Sequence, residues 1–259
     1  MLSVQKQASA PDDEREAEYN VLLQTGIMTL DDSQALIHSF PTQHGKFFLL
    51  SGDAPIFRLS LYLAALTVRT GASLALVDGA NRFDVHAITA QAQRWQIPPQ
   101  RLLERIFISR GFTCYQMEAA ITERLPAFLA QRGVRAAVIL GLLDSFYDEQ
   151  VKFQIAWAML QRIIAACHAM KSDGISLLLA CREWDVRPKE RNQFLQMLRE
   201  GADHTYRLTA QAEMHGIGEQ HAIAQPHIVQ SSAATRRMHR PDGSRRSGSA
   251  CDETTGNLF

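Results

Sequence analysis

The chain has 259 residues, of which 46% are hydrophobic, and Lys+Arg and Asp+Glu number 27 each. This length and apolar content suffice for one substantial folded domain with tails. The balanced charge excludes a global field that would attract nucleic acid or an anionic membrane, so any DNA binding must depend on a local patch.

The chain shows no signal for membrane insertion, export or metal binding. No apolar run reaches the roughly 18 residues of a membrane span, and the start is polar and soon acidic, unlike a signal peptide. The four cysteines form no C-x-x-C pair, so we expect buried reduced thiols and no metal site. A cytoplasmic location is the expectation.

The elements predicted in chain order alternate between strands and helices. Residues 1–18 are predicted to be a flexible N-terminus, and 19–40 carry a helical pattern with a turn near Gly26. Short apolar runs predict strands at 47–50, 74–77, 106–108, 136–140 and 175–180. Amphipathic runs predict helices at 59–69, 85–95, 115–131, 151–170 and 189–200.

All-apolar strands separated by helices are typical of a mainly parallel sheet that helices cover on both faces. The prediction is therefore a three-layer α/β/α domain over residues 19–230, with late edge strands at 205–208 and 221–229. Residues 231–259 are rich in Ser, Gly and Arg with few large apolar residues, which predicts a disordered tail.

The segment after the first strand has the frame of a phosphate-binding loop but not its residues. A P-loop reads G-x-x-x-x-G-K-S/T between a strand and a helix. Here Gly52 keeps the first glycine, while Phe57, Arg58 and Leu59 stand at the second glycine, the lysine and the hydroxyl residue. These replacements argue against phosphate and Mg²⁺ binding.

The order of elements over about residues 26–210 resembles the RecA-like ATPase core, especially the RadA-type recombinases and their paralogues. Several stretches carry the resemblance in the family's order: 29–32 with the lead-in to Gly45, 76–83, 108–116, 134–147, and the 161–170 helix that leads to 175–181. The resemblance implies a P-loop NTPase fold.

The resemblance also assigns the other positions of a nucleotide site. Ala80 stands where the family has the glutamate that activates water, and Gly141 stands where the Walker B strand ends in aspartate. The sensor motif becomes Ala180-Cys181-Arg182. The resemblance thus implies a degenerate site with no catalytic residue, no metal and no cofactor. Asp78, which matches a family aspartate other than the base, is expected to cap a turn or the following helix.

Two segments bear on DNA binding. The loop at 143–151 carries three acidic residues and would repel phosphate, whereas Arg182, Arg187, Lys189 and Arg191 lie near Trp184. Basic residues beside an aromatic ring can follow a single strand, but acidic residues interleave here and also predict a salt-bridged helix start. The tail arginines permit either phosphate contacts or a solubilising role.

The leading hypothesis is a non-catalytic RecA-fold protein, a partner-binding module linked to DNA recombination or repair, whose partner is a recombinase or repair protein. One alternative is a divergent ATPase that binds ATP and Mg²⁺ through Arg58 and Asp144. A further alternative is a DNA-binding accessory protein that uses Arg187, Lys189, Arg191 and the tail. No membrane partner is expected.

Overall fold

Six short segments form one parallel sheet in the computed structural model, which describes residues 36–40, 42–53 and 55–208. The strands are β1 (Phe47–Gly52), β2 (Leu74–Asp78), β3 (Ile106–Arg110), β4 (Ala136–Leu140), β5 (Ser176–Arg182) and β6 (His204–Leu208). Their order is β3-β2-β4-β5-β1-β6, and every neighbouring pair is parallel. The parallel α/β prediction is confirmed, and all six described strands were predicted at these places to within two residues.

Seven helices connect the strands within the described ranges. They are α1 (Ile56–Arg69), α2 (Val85–Arg94), α3 (Pro99–Leu103), α4 (Cys114–Ala119), α5 (Leu125–Arg132), α6 (Phe153–Ser172) and α7 (Gln193–Gly201). Short 3₁₀ turns span Leu142–Ser145 and Lys189–Asn192. Residues 36–39 form one further helical turn. The predicted strand at 221–229 and the tail at 231–259 lie outside the described residues.

Two apolar cores lie on opposite faces of the sheet, because side chains alternate along each strand. Phe48 and Leu50 of β1 pack with α1, α2 and α3, while Phe47 and Leu49 pack with α4, α5, α6 and α7. Strands β1, β2, β4 and β5 are buried almost throughout. This double coverage explains why these strands are continuous apolar runs.

The helices differ from the prediction in four places, one of which is that the predicted helix at 189–200 starts as a 3₁₀ turn and becomes α7 only at Gln193. Helix α1 begins at Ile56, three residues before the predicted start, so the residues aligned with a P-loop belong to its first turn. The predicted helix at 115–131 is interrupted by a π-helical turn at Ala120–Arg124, next to Pro126, which has no N–H to continue the α-helical ladder. Helix α3 was missed, since Pro98-Pro99 resembles a turn although proline suits the first helical position.

The carboxyl ends of the parallel strands meet at one edge of the sheet, named the carboxyl edge from here on. The chain leaves β1 towards the face of α1 and leaves β5 towards the face of α7. Neighbouring strands that send their connections to opposite faces open a crevice between their carboxyl ends, where α/β proteins place ligands. The β1–β5 junction is therefore the place to look for a site.

Candidate functional site at the carboxyl edge

The structure brings the aligned nucleotide-site positions together at the carboxyl edge. Gly52 ends β1 and Arg182 ends β5, and these two residues are paired across the sheet. Gly141 directly follows β4, and Ala80 is the second residue after β2, the strand beside β4 in the sheet. The first turn of α1 supplies the remaining three. One edge of the sheet thus carries every position that the sequence assigned to the degenerate site.

Gly52 is needed for contact with the neighbouring edge strand. Its φ is +137°, and a Cβ on it would lie 1.8 Å from the carbonyl oxygen of Leu208, at the end of β6. The same oxygen accepts a hydrogen bond of 3.0 Å from the N–H of Asp53. Gly52 therefore allows β1 and the loop that follows it to approach β6, and no phosphate is required to explain its presence.

The connection between β1 and α1 leaves few backbone donors for a phosphate. The N–H of Asp53 is used by Leu208, and the N–H of Ile56 donates to the carbonyl of Asp53 at 3.1 Å. Pro55 has no N–H. A P-loop binds phosphate because several backbone N–H groups converge on it. Here the N–H groups of Asp53 and Ile56 instead donate to carbonyls of the protein itself.

The first turn of α1 buries two of the three aligned residues. Phe57 and Leu59 are 6% and 4% exposed and belong to the core between α1 and the sheet, whereas Arg58 is exposed. The guanidinium of Arg82 lies over the Phe57 ring, 5.1 Å from its centroid. The position aligned with the second glycine of a P-loop therefore carries the Phe57 ring, which Arg82 covers.

Asp144 contacts this arginine from the 3₁₀ turn after β4. Its Oδ2 lies 3.7 Å from Nη2 of Arg82. Burial raises the pKa of Asp144, and the nearby charges of Arg82 and Arg182 oppose that rise. Asp144 is thus a half-buried ion-pair residue. The divergent-ATPase hypothesis would require it to bind Mg²⁺ in place of this arginine.

Ala80 and Gly141 pack directly against each other. Gly141 has a φ of +64°, and a Cβ on it would lie 2.3 Å from the Cβ of Ala80. Its N–H also donates to the carbonyl of Ala180 at 2.9 Å, which fixes the backbone at this point. A carboxylate side chain at position 141 would not fit this arrangement, because even its Cβ would overlap the methyl group of Ala80.

Asp78, at the end of β2, caps the turn that follows. Its carboxylate is fully buried and accepts hydrogen bonds from the N–H groups of Arg82 at 2.8 Å and Phe83 at 3.0 Å. The guanidinium of Arg110 approaches it at 3.9 Å. The predicted capping role is confirmed for the turn, while helix α2 has its own cap in Asp84, which accepts from the N–H of His86.

Glu183 organises the β1–β5 junction, and sequence reasoning missed it. Its Oε1 accepts a hydrogen bond of 2.7 Å from the hydroxyl of buried Ser51 and pairs with Arg199 of α7, while Oε2 pairs with Arg207 of β6 at 2.8 Å. Its N–H donates to the carbonyl of Gly52 at 2.8 Å. Burial alone would raise the pKa of Glu183, but these hydrogen bonds and charges hold it below the ordinary value. The available signal was an acidic residue directly after Arg182, at the end of the apolar run that forms most of β5.

A cavity of about 380 Å³ opens beside Glu183. Its lining comes from the loop after β1, the loop after β5, helix α7 and the end of β6, with the ring of Tyr147 on one side. Trp184 and Asp185 form part of the same wall. The guanidinium of Arg182 lies over the Trp184 ring, 4.9 Å from its centroid. The cavity thus combines carboxylates, aromatic rings and ion-paired arginines.

The three residues suggested for DNA contact differ in exposure. Arg187 and Lys189 are exposed, whereas Arg191 is only 2% exposed. The guanidinium of Arg191 donates to the backbone carbonyls of Phe146 and Val151, and so joins the loop after β4 to the start of α7. Arg191 is therefore engaged inside the protein and is not available to a phosphate backbone.

The large apolar side chains that stay exposed among the described residues all lie in connections that follow the carboxyl ends of strands. Val85 comes after β2, Phe112 and Tyr115 after β3, Ile155 after β4 and Trp184 after β5. Phe112 is the most exposed at 67%. Its N–H donates to Oε1 of Gln116, whose own N–H donates to the hydroxyl oxygen of Thr113. This capping arrangement holds Phe112 outward in an ordered turn.

Neither metal ligands nor reactive thiols are found in the part of the chain that the structure describes. No group of three His, Cys, Asp or Glu side chains there could hold a metal ion. Cys114, Cys167 and Cys181 are buried, and burial raises the pKa of Cys167 and Cys181 to about 12.

None of the described helices has both the length and the apolar character to cross a bilayer. No protein-family model matches this chain, and no curated protein matches it.

Proposed function

We propose that this chain is a non-catalytic protein with a RecA-like core that acts as a partner-binding module in DNA recombination or repair. The sheet supports the RecA-like assignment because the strands aligned with the P-loop, the sensor and Walker B are the neighbours β1, β5 and β4. The carboxyl ends of these three strands and of β2 carry all the aligned positions at one edge. A shared fold alone leaves the activity open, so the argument depends on the site.

The contact between Ala80 and Gly141 carries the proposal. Phosphoryl transfer needs a group that orients water and a carboxylate that holds Mg²⁺. The two positions aligned with those groups lie against each other, with no space for a side chain at position 141. The packing of Ala80 against Gly141 therefore excludes a Mg²⁺-binding carboxylate from position 141, and the alanine at position 80 carries no group that could orient water.

The surroundings of the P-loop position support the same conclusion. Phe57 fills the space of the second glycine, and Arg82 covers it. Arg58 keeps a positive charge but is exposed, and a lone surface guanidinium contributes little to phosphate affinity.

The exposed apolar residues supply the partner-binding part of the proposal. Interfaces depend on a few aromatic anchors, and Phe112 and Tyr115 are exposed at 67% and 54%. Phe112 is held by Gln116 in a turn that is already ordered, which lowers the entropic cost of binding. This edge is where RecA-like enzymes hold nucleotide, so loss of the ligand leaves it available to a protein.

Calorimetry with Mg-ATP tests the loss of nucleotide binding. We expect no affinity tighter than ~1 mM, which corresponds to about −4 kcal/mol, and no phosphate release in a steady-state assay. Micromolar binding that Arg58→Ala abolishes, or turnover that Asp144→Ala abolishes, would instead establish the divergent-ATPase alternative.

Direct binding to the purified RecA- or RadA-type recombinase of the same host tests the partner. We expect binding that Phe112→Ser and Tyr115→Ser weaken at least about tenfold, because truncating an aromatic anchor costs more than 1 kcal/mol. The control variant is Gln131→Ser, because Gln131 is exposed and remote in sequence from these anchors. Phe107→Ser cannot serve as the control, since the Phe107 ring packs against Phe128. Binding unchanged in both aromatic variants would refute this use of the surface.

A further inference from the structure

The cavity beside Glu183 is lined by more carboxylates than basic side chains. Its ionisable lining consists of Asp53, Glu183 and Asp185 against Arg199 and Arg207. Both arginines pair with the Glu183 carboxylate, one on each oxygen. An anionic ligand would have to compete with Glu183 for these arginines, whereas a cationic ligand faces no such competition. The charge of the wall therefore favours a cation.

Asp185 is the carboxylate that this cavity offers to a ligand. It is exposed, and it has neither a hydrogen bond nor an ion pair with any residue that the structure describes. A carboxylate at the wall of a cavity gains most from a donor that fills the cavity, because the contact then loses part of its solvent screening.

The hydroxyl of Tyr147 is a second polar group that the cavity offers. Tyr147 is half-buried in the same lining, and its hydroxyl makes no hydrogen bond to another residue of the described ranges. Burial raises the pKa of Tyr147, so the group stays a neutral hydroxyl that can accept a hydrogen bond from a cation. Asp185 and Tyr147 come from the loops after β5 and β4. Together they suit a ligand with several N–H donors.

The aromatic wall next to Asp185 favours a guanidinium over an ammonium. The rings of Trp184 and Tyr147 stand edge-on with their centroids 6.3 Å apart. The guanidinium of Arg182 covers part of the Trp184 ring, yet Trp184 remains 43% exposed. A guanidinium combines stacking on such rings with paired hydrogen bonds to a carboxylate, which an ammonium cannot do.

The size of the cavity fits a small organic cation. Its volume of about 380 Å³ lies at the lower end of the roughly 300–1,000 Å³ of small-ligand sites. Leu195 adds an apolar surface to the lining, against which the methylene groups of an alkyl guanidinium can pack. Within the part of the chain that the structure describes, the carboxylates of this wall do not form a group of three that could hold a metal ion.

We propose that this cavity binds a guanidinium group, held by the Asp185 carboxylate and the Tyr147 hydroxyl and packed against the exposed part of Trp184. The guanidinium belongs either to a free small molecule or to an arginine side chain of another protein, and the same contacts serve both. This inference goes beyond the proposed function and does not depend on the loss of nucleotide binding.

Calorimetry with full-length protein and two guanidinium probes of equal net charge tests the proposal. One probe is free L-arginine, and the other is the blocked tripeptide acetyl-Gly-Arg-Gly-amide. We expect saturable binding of at least one probe with a dissociation constant of about 1 mM or lower. The same tripeptide with citrulline, which keeps the shape but lacks the charge, should bind at least about tenfold more weakly. A lysine tripeptide should bind at least about threefold more weakly.

Substitutions in the cavity decide whether binding occurs there. Asp185→Asn keeps the size of the side chain and should weaken the better probe at least about tenfold, since the charge is lost. Tyr147→Phe keeps the ring and should weaken it at least about threefold. The control is Asp173→Asn, an exposed aspartate that precedes β5 at the opposite end of the sheet, and it should change nothing. Circular dichroism confirms that each variant is folded.

The outcomes decide both the inference and the source of the guanidinium. Tighter binding of L-arginine supports a free compound, and tighter binding of the tripeptide supports an arginine of a protein. No saturable binding of either probe, or affinity unchanged by Asp185→Asn, overturns the inference. A citrulline or lysine tripeptide that binds as tightly as the arginine tripeptide overturns the guanidinium assignment, and unchanged affinity in Tyr147→Phe overturns the role of the hydroxyl. The Mg-ATP titration is a separate measurement, so the proposed function and this inference fail independently.

Discussion

Replacing Gly141 by alanine tests the contact that carries the proposed function. The added Cβ would lie 2.3 Å from the Cβ of Ala80, where carbon atoms ordinarily approach to about 3.5–4.0 Å. Relieving such overpacking costs typically about 1–3 kcal/mol. The left-handed φ of +64° costs a further 1–2 kcal/mol or so for any residue with a Cβ. We therefore expect Gly141→Ala to lower the free energy of unfolding by about 2–5 kcal/mol.

Gly133 provides a matched control within the same chain. Its φ is +65°, nearly that of Gly141, but a Cβ on it would have no neighbour within 4 Å. Gly133→Ala should thus cost only the backbone contribution of about 1–2 kcal/mol. The difference between the two variants isolates the Ala80 contact, independently of the backbone conformation that both glycines share.

Urea unfolding of the two variants, monitored at unchanged m-value, measures both costs. The Ala80→Gly background completes a double-mutant cycle, since removing that methyl group should bring the cost of Gly141→Ala down towards the Gly133→Ala value. We expect a coupling energy of at least about 1 kcal/mol between positions 80 and 141. Equal costs for the two alanine variants, with no coupling, would refute the close approach and with it the packing argument.

Three further predictions concern charges and thiols. Hydrogen bonds and arginine charges hold the pKa of Glu183 below its ordinary value of 4.5. Its contribution to stability is therefore present above pH 4.5 and is lost as the pH falls through the lowered pKa. When unfolding is followed during acid titration, the free energy of unfolding should fall less steeply for Glu183→Gln than for the wild type. Arg191→Met should lower the free energy of unfolding by about 2–4 kcal/mol, because two backbone carbonyls, those of Phe146 and Val151, lose a charged donor. Exposed Arg187→Met should change it by no more than about 0.5 kcal/mol, and similar thermal midpoints for the two variants would contradict the buried role. In a Cys251→Ser background, the native protein should react with a thiol reagent at pH 8 only after denaturation, since burial raises the pKa of Cys167 and Cys181 to about 12; fast native labelling would disprove this.

The sequence predicted β1, β2, β4 and β5 well because each contains an uninterrupted apolar run, which marks a strand buried on both faces. It predicted less well the start of α1, because the P-loop frame suggested a longer loop and Phe57 was read as a loop residue when it is a core residue of the helix. Periodicity carries no information on which strand lies beside which, so the pairing of Gly52 with Arg182 required the structure.

The electrostatics of the carboxyl edge were the least predictable part. Arg199 and Arg207 come from different elements and meet Glu183 only because α7 and β6 converge on the end of β5. Arg191 sits in a basic stretch that resembles a surface patch, yet its side chain is buried. Composition shows the number of charges, but the direction of each side chain depends on tertiary packing.

The Glu183 carboxylate gives this edge a mechanical property. In a nucleotide-driven protein, a reversibly bound ligand connects the strands at this edge, so the conformation of the edge depends on the concentration of the ligand. Here one encoded side chain joins β1, β5, β6 and α7 in every copy of the protein. Under the proposed function, in which the edge binds no nucleotide, its geometry would not depend on the ATP concentration, and its exposed rings would be presented in every copy of the protein.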